Sequence, residues 1–310
     1  MVGRVVRVGT RSSALAQAQT NLIATALLHV DPGLQIDRVI ISTNGDCTQH
    51  SNAPGPDWGT GVFVKEIEAA LLGEEIDLAV HSLKDVPPIA TVELTLAAIP
   101  TRDDPLDVLV THRGVGMEDL DPGARVGTSS ARRVAFLRQA RPDLMWAPIR
   151  GNVESRLRKL REGQYDALVL ARVGLRRLAI DVPHVVLEPE LLPPSPGQGA
   201  LAVQARAGDR DVLRLVEPLH DSATAAAVRA ERHLMLLLDG GCRLPVGALG
   251  TPGTDGGLDL LGGLAADAGG VAIACAHGLL AAPEVLADQL ASLLRARFAD
   301  VQQAPFEMAV

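Results

Sequence analysis

The stretch RVGTSSARRVAFLRQARPDLMWAPIRGNVESRLRKLREGQYDALVL, residues 125–170, alternates short apolar strands with helices twice over. Arg125–Gly127 reads as a strand. Ser129 or Ser130 then caps a helix running to about Gln139, because a hydroxyl there accepts from the orphan N–H groups of a first helical turn. Trp146–Ile149 reads as the next strand, Asn152 caps a helix to about Arg161, and Gly163 stops it. Ala167–Leu170 is a third strand, followed by a helical turn over Val173–Leu178. Strand–helix alternation with connections this short specifies an α/β fold.

The first hundred residues repeat the alternation. Arg4–Val8 is a strand, and Ser12 or Ser13 caps a helix whose apolar Leu15, Leu22, Ile23 and Leu27 recur at helical spacing. Strands are expected at Gln35–Ser42, Leu78–Ser82 and Leu94–Ile99, with a helix at Phe63–Leu72. Asn44–Gly61 is rich in Gly, Pro, Asn and Asp and has no periodicity, which fits a lid or a structureless segment. Asp107–Val110 is a further strand. After the linker Pro193-Pro194-Ser195-Pro196-Gly197, Leu201–Gln204 reads as a strand that belongs with neither neighbour by order. Beyond Leu219 come a helix (Ala223–Leu238), a glycine turn holding Cys242, strands near 244–249, 258–263 and 271–276, and a last helix from about Pro283 to Phe298.

Hydrophobic residues make up 47 % of the 310 and aromatics only 2 %. The core is therefore aliphatic, and the chain lacks the stacking platforms of a nucleic-acid binder. No apolar run approaches the roughly 20 residues of a membrane helix. The N-terminal MVGRVVRVGTRSS lacks the apolar region of a secretory signal. Cys47, Cys242 and Cys275 are too far apart for a disulfide framework or a zinc knuckle, and the eight histidines show no metal spacing. These features point to the cytoplasm. Cys275, in the alternating VAIACAH, is expected in the core.

The net charge is −8, yet residues 102–177 hold 15 Lys+Arg against 10 Asp+Glu. A basic segment in an acidic chain indicates a local anion site. Only Lys65, Lys84 and Lys159 are lysines. Genomic base composition explains that bias as well as the bidentate grip of arginine on carboxylates does. Thr10-Arg11-Ser12-Ser13, Thr128-Ser129-Ser130-Ala131-Arg132-Arg133 and Arg150-Gly151-Asn152 with Arg156 each put arginines at a strand–helix junction, where helix N-termini favour anions. Arg176-Arg177 adds another pair.

His81-Ser82-Leu83-Lys84-Asp85-Val86-Pro87 sets an acid and a base at the C-terminal end of an apolar strand, where open α/β sheets bind ligands. A carboxylate there can hold positive charge developing on a substrate or exchange a proton. The same residues also read as a Lys–Asp turn closed by two prolines. Gly240-Gly241-Cys242-Arg243 places a thiol beside a cation, which favours thiolate; a small buried residue in a turn is the other reading. No GxGxxG or GxxxxGK[ST] occurs, so neither dinucleotide nor P-loop binding is supported.

Taken in order, VGTRSSALA, FVKEIEAALL, AVHSLKDVP, VGTSSARR, RGNVESRLRKL, YDALVLARVGL, PGQGALAVQ and GGCRLPVG resemble the porphobilinogen deaminase (hydroxymethylbilane synthase) family from Arg4 to about Arg297. The resemblance implies three α/β domains: 1–100 with 199–218, then 103–194, both similar to type II periplasmic binding proteins with a cleft between them, and 220–310. It implies a dipyrromethane cofactor on Cys242 through a thioether. Asp85 would be the catalytic carboxylate, stabilising positive charge as ammonia leaves porphobilinogen. Lys84, Ser13, Thr128, Ser129, Ser130, Arg132, Arg133 and Arg150 match cofactor-binding positions. Arg11, Arg150, Arg156 and Arg177 match substrate-binding positions. The product would be the linear tetrapyrrole hydroxymethylbilane, on the route to haem-type tetrapyrroles, made by a monomer with no metal, nucleic-acid or membrane partner. A non-catalytic two-domain binder of small polycarboxylates is the alternative, and a binder needs neither Asp85 nor Cys242. The loop at 47–61 lacks the lysine with which many relatives end theirs; Thr60 stands there.

Overall fold

The computed structural model describes residues 5–42, 64–89, 91–238, 245–266 and 270–303. They form two compact units. The first comprises Met1–Asp104, Val173–Ile180 and Gln198–Ala225; the second comprises Pro105–Arg172, Asp181–Gly197 and Ala226–Val310. The expected α/β class holds in both.

In the first unit β1 (Val5–Thr10), β2 (Gln35–Ile40), β3 (Leu78–Ser82) and β4 (Leu94–Ala98) alternate with α1 (Ala14–Val30) and α2 (Lys65–Leu72). Ser13 caps α1, its Oγ accepting from the Ala16 N–H. In the second unit β5 (Asp107–Thr111), β6 (Arg125–Gly127), β7 (Met145–Ala147), β8 (Ala167–Ala171) and β9 (His184–Leu187) are joined by α3 (Ala131–Ala140) and α4 (Val153–Arg161); the short α5 (Arg172–Arg177) that follows β8 belongs to the first unit from Val173 onward. The chain then returns, and β10 (Leu201–Arg206) inserts between β3 and β4 of the first sheet.

The first sheet has the order β2-β1-β3-β10-β4 and the second β7-β6-β8-β5-β9. In each, two parallel pairs are followed by one antiparallel strand that arrives from the other part of the chain: β10 against β3, β5 against β8. The two sheets are thus built to one plan, as the resemblance implied. Parallel strands covered by helices read as continuous apolar runs. Accordingly β3 and β8, each parallel to one neighbour, are buried from Leu78 to His81 and from Ala167 to Leu170, and β5, central and antiparallel to both its neighbours, is buried along its whole length. Val8, Ile23, Leu27, Leu78 and Val203 centre the first core, and Leu109, Val126, Phe136, Leu137 and Val169 the second.

The C-terminal part adds α6 (Arg210–Val216) in the first unit and, running into the second, α7 (Ser222–Leu238). The antiparallel sheet β11 (Val246–Pro252), β12 (Gly257–Ala265), β13 (Val271–Leu279) is covered by α8 (Pro283–Gln303). Its core joins Leu234, Leu260, Leu290 and Leu294. Gly263 has a packing reason: a Cβ there would lie 2.7 Å from a ring carbon of Phe136 on α3.

Three expectations need correction. Cys275 is exposed, not core. The alternation of β13 is real, but Ala272 and Ala274 take the inward phase and Cys275 the outward one. Strand β7 stops at Ala147 because Pro148 has no N–H to continue the ladder. Strand β9 and helix α6 were not anticipated. Among the described residues no helix is long and apolar enough to cross a membrane.

Candidate functional site

In the first unit the buried strand β3 runs into a single 3-10 turn, Leu83–Asp85, closed by the Val86 N–H donating to the Leu83 carbonyl. Buried Leu83 pins the turn, so Lys84 and Asp85 are left half-buried at its edge. A cavity of about 60 Å³ is lined by Arg11, Ser13, Gln19, His81, Ser82 and Asp85, against an apolar wall of Leu15, Ala16, Val64 and Val80. That volume admits water beside the carboxylate. The structure thus brings Arg11, Ser13 and Asp85 together. Gln19 Nε2 donates to Ser82 Oγ at 2.8 Å and braces the start of the turn. Lys84 Nζ donates to Oε1 of fully buried Gln198 at 3.0 Å.

His81, near the end of the same strand, lines the same cavity. Its Nε2 meets Gln204 Oε1 at 3.0 Å, and Gln204 Nε2 donates to Glu68 Oε1 at 2.8 Å. Burial pushes the imidazole down to about 4, with the positive Arg11 acting in the same direction. The ring is therefore neutral at pH 7, so Nε2 carries the proton that Gln204 accepts.

Arg177 belongs to the same unit but does not line this cavity. Its Nη2 donates to the Gly199 carbonyl at 2.6 Å and Nε stands 3.7 Å from Asp103. Burial lowers its pKa. Its Nε is buried without a hydrogen-bond partner among the described residues.

The second unit carries the hydroxyl turn and four of the arginines. Thr128 Oγ1 accepts from the Ser130 N–H at 3.2 Å, and Ser130 Oγ accepts from the Arg133 N–H as the cap of α3. Both keep a hydroxyl proton to donate outward. Ser129 differs. Its Oγ donates to the Ile149 carbonyl at 2.7 Å and accepts from the Ile149 N–H at 2.9 Å, so its proton is spent on the turn itself.

Arg132 and Arg133 converge on Asp107, which is 0 % exposed. Arg132 Nη2 donates to one carboxylate oxygen and Arg133 Nη2 to the other, each at 2.6 Å. Burial alone would raise the Asp107 carboxyl, but the pull of Arg133 and Arg132 and their hydrogen bonds hold it well below the usual carboxylate range. Arg156 follows Gly151, whose φ of +110° and whose Cβ position, 2.1 Å from Ser155 Oγ, admit only glycine. Arg156 Nε donates to the Gly151 carbonyl at 2.8 Å. Burial, and then repulsion from Arg133, lower its pKa to about 10, so it stays charged at neutral pH. Arg150 lies half-buried just before that glycine.

Around Asp107 the second unit therefore concentrates more positive than negative charge. Arg133 Nε, like Arg177 Nε, is a buried donor with no partner among the described residues. A bound anion is one of the groups that satisfies a buried donor of this kind. Along α3 a cavity of about 820 Å³ runs from the Thr128–Ser130 turn to Arg138, Gln139 and Trp146. Its size suits a multi-ring small molecule.

Residues 6–214 match the family model "Porphobilinogen deaminase, dipyromethane cofactor binding domain". The chain belongs to the porphobilinogen deaminase family. It is 51 % identical over 245 residues to a porphobilinogen deaminase of Roseiflexus castenholzii, covering 78 % of this chain and 80 % of that one. It is 44 % identical over 306 residues to that of Syntrophotalea carbinolica, covering 97 % and 95 %. Among solved structures it is similar to a periplasmic substrate-binding protein of an ABC transporter from Coxiella burnetii, at 17 % identity and TM-score 0.43, over 71 % of this chain and 94 % of that one. The family's cofactor carries carboxylates, and within the second unit the orphaned Arg133 donor and the free hydroxyl protons of Thr128 and Ser130 fit such a group. Cys242, Cys47 and the 47–61 loop with Thr60 lie outside the described residues.

Sequence reasoning missed Asp107, Gln198 and the role of His81. A single Asp opening an otherwise apolar strand was the available signal for Asp107.

Proposed function

We propose that this chain is an enzyme of tetrapyrrole synthesis that condenses four porphobilinogen molecules head to tail, releases ammonia at each step, and hydrolyses the finished hydroxymethylbilane from its primer. The observation that carries this reading is the buried excess of guanidinium around Asp107 with an unpartnered donor on Arg133. Each porphobilinogen ring brings an acetate and a propionate, the anions such donors lack. In this reading residues 1–100 with 199–218 supply the catalytic carboxylate, 103–194 the carboxylate-binding arginines, and 220–310 present Cys242. The protein acts as a cytoplasmic monomer.

A dipyrromethane on Cys242 would supply the pyrrole carbon to which the first substrate is joined. Asp85 accepts the pyrrole N–H of the substrate whose aminomethyl group is leaving. Loss of ammonia draws electrons from that ring nitrogen, and a fixed carboxylate stabilises the positive charge where it develops. Its place at the edge of a pinned turn keeps it aimed before substrate arrives. Arg11, in the same cavity, and Arg150, Arg156 and Arg177 pair with side-chain carboxylates of the substrate. Thr128, Ser130, Arg132, Arg133 and Lys84 hold the primer, while Ser129 acts through the backbone by locking the turn.

The test is the intact mass of the purified chain. An excess equal to two linked pyrrole units is expected, lost in Cys242→Ser and kept in Cys47→Ser and Cys275→Ser. No excess on the wild-type chain would leave a non-catalytic binder of polycarboxylates. An excess that survives Cys242→Ser would move the attachment point elsewhere.

A further inference from the structure

We propose that Asp107 is a positioning residue for the reaction: it clamps Arg132 and Arg133 side by side so that the Nε–H of Arg133 is reserved for a ligand carboxylate. The inference rests on the reading of these two arginines as carboxylate-binding groups.

Adjacent residues on a helix project about 100° apart. Arg132 and Arg133, in the first turn of α3, would therefore diverge if nothing gathered them. Asp107 sits on the strand between β8 and β9, where its backbone is in register with Ala171 on one side and Leu187 on the other. Its carboxylate is thus fixed by the sheet, not by the arginines it binds. One oxygen takes Arg132 and the other Arg133. A backbone carbonyl completes each fork: Pro193 accepts from Arg132 Nη1 at 2.5 Å and Val169 from Arg133 Nη1 at 2.7 Å.

Both Nη atoms of each arginine are then occupied. What remains of Arg133 is Nε, buried and without a partner among the described residues, on a side chain only 9 % exposed. A rigid guanidinium with one donor left over is a preorganised half of a carboxylate contact. Asp107 removes one unit of charge from the cluster and in exchange sets its geometry, leaving enough positive charge with Arg156 nearby to favour an anion.

A purely structural Asp107, holding α3 onto the sheet, would affect melting temperature alone. The positioning role also moves the fraction of chains that carry the dipyrromethane, the group Arg133 is proposed to hold. The experiment uses the full chain with Asp107→Asn, Asp107→Glu and Arg133→Lys, and measures melting temperature, the fraction carrying the dipyrromethane mass, and KM and kcat for porphobilinogen. Asp107→Asn is expected to lower the adduct-bearing fraction about 10- to 100-fold, the scale of one lost hydrogen bond to a charged group, with KM and kcat per adduct-bearing molecule nearly unchanged. Asp107→Glu should recover most of the loss. Arg133→Lys keeps the charge and can keep the ion pair but has no Nε, and it should lower that fraction by a similar factor. It decides the matter alone if Asp107→Asn does not fold. Folded Asp107→Asn or Arg133→Lys protein with full adduct overturns the proposal. A wild-type chain without adduct overturns the underlying reading, and this proposal with it.

Discussion

The two units handle charge in opposite ways. Around Asp85 the first unit leaves a half-buried carboxylate at the edge of a short turn, with hydroxyls, a neutral imidazole and room for water. Around Asp107 the second unit seals a carboxylate between two guanidinium groups, each held again by a backbone carbonyl. A group that meets changing charge during a reaction needs its oxygens accessible to the substrate. A group that recognises fixed charge works best when its geometry is set beforehand. Burial, not residue type, separates the two roles proposed for them.

The contrast can be broken most severely at Asp85. Asp85→Asn keeps the shape and removes the charge, and turnover should fall at least roughly 10²-fold, the scale of deleting one electrostatic stabiliser. The melting temperature should stay at the wild-type value, and Asp85→Glu should retain more activity than Asn. A slower variant that also melts early would make Asp85 a structural residue.

His81 supplies the next largest effect. Its folded-state pKa of about 4 lies below its unfolded value near 6.5. Between those values the unfolded chain binds a proton that the native chain refuses, so stability falls as pH drops from about 6.5 to 4 and levels off below. The loss is about 3 kcal/mol at most. Asp107, whose carboxyl lies far lower, contributes its own loss only below the ordinary carboxylate range, so the two can be separated. Urea unfolding across that pH range should show the slope in wild type, and His81→Gln should flatten it.

Arg156 sharpens the contrast from the recognition side. Its folded pKa of about 10 lies below the free value, so folding disfavours its charged form at neutral pH. Wild-type stability should rise as pH climbs from about 10 towards 12.5. Arg156→Gln should stabilise the ligand-free chain at pH 7 by about 1 kcal/mol, after solvent screening and the lost bond to Gly151 are allowed for. Thermal melts of the Cys242→Ser background would show it. The smallest effect belongs to Arg295, which is exposed and donates to the Leu237 carbonyl near the end of α7. Arg295→Ala should cost about 0.5 kcal/mol or less and leave turnover unchanged.

Much of this was legible beforehand where local chemistry decides the structure. Ser13, Ser130 and Asn152 cap the helices their spacing announced, and Leu78–Ser82 is a strand as read. Strand β9 was hidden because Pro183 and Pro189 frame five residues, four of which pair only at an edge. Cys275 failed because alternation gives a period but not its phase; the neighbouring strand and α8 choose which side faces in. Asp107 was invisible for a deeper reason. Its two partners lie 25 and 26 residues ahead, and no local pattern reports a charge that only tertiary packing neutralises.

The division between chemistry and recognition is tested most directly by steady-state kinetics on Asp85→Asn and Arg156→Gln, side by side on protein carrying the same adduct content. The Asp85 variant should lose its activity in kcat with KM close to wild type. The Arg156 variant should show a raised KM with kcat largely kept. The reverse assignment, or losses in kcat alone for both, would contradict the account.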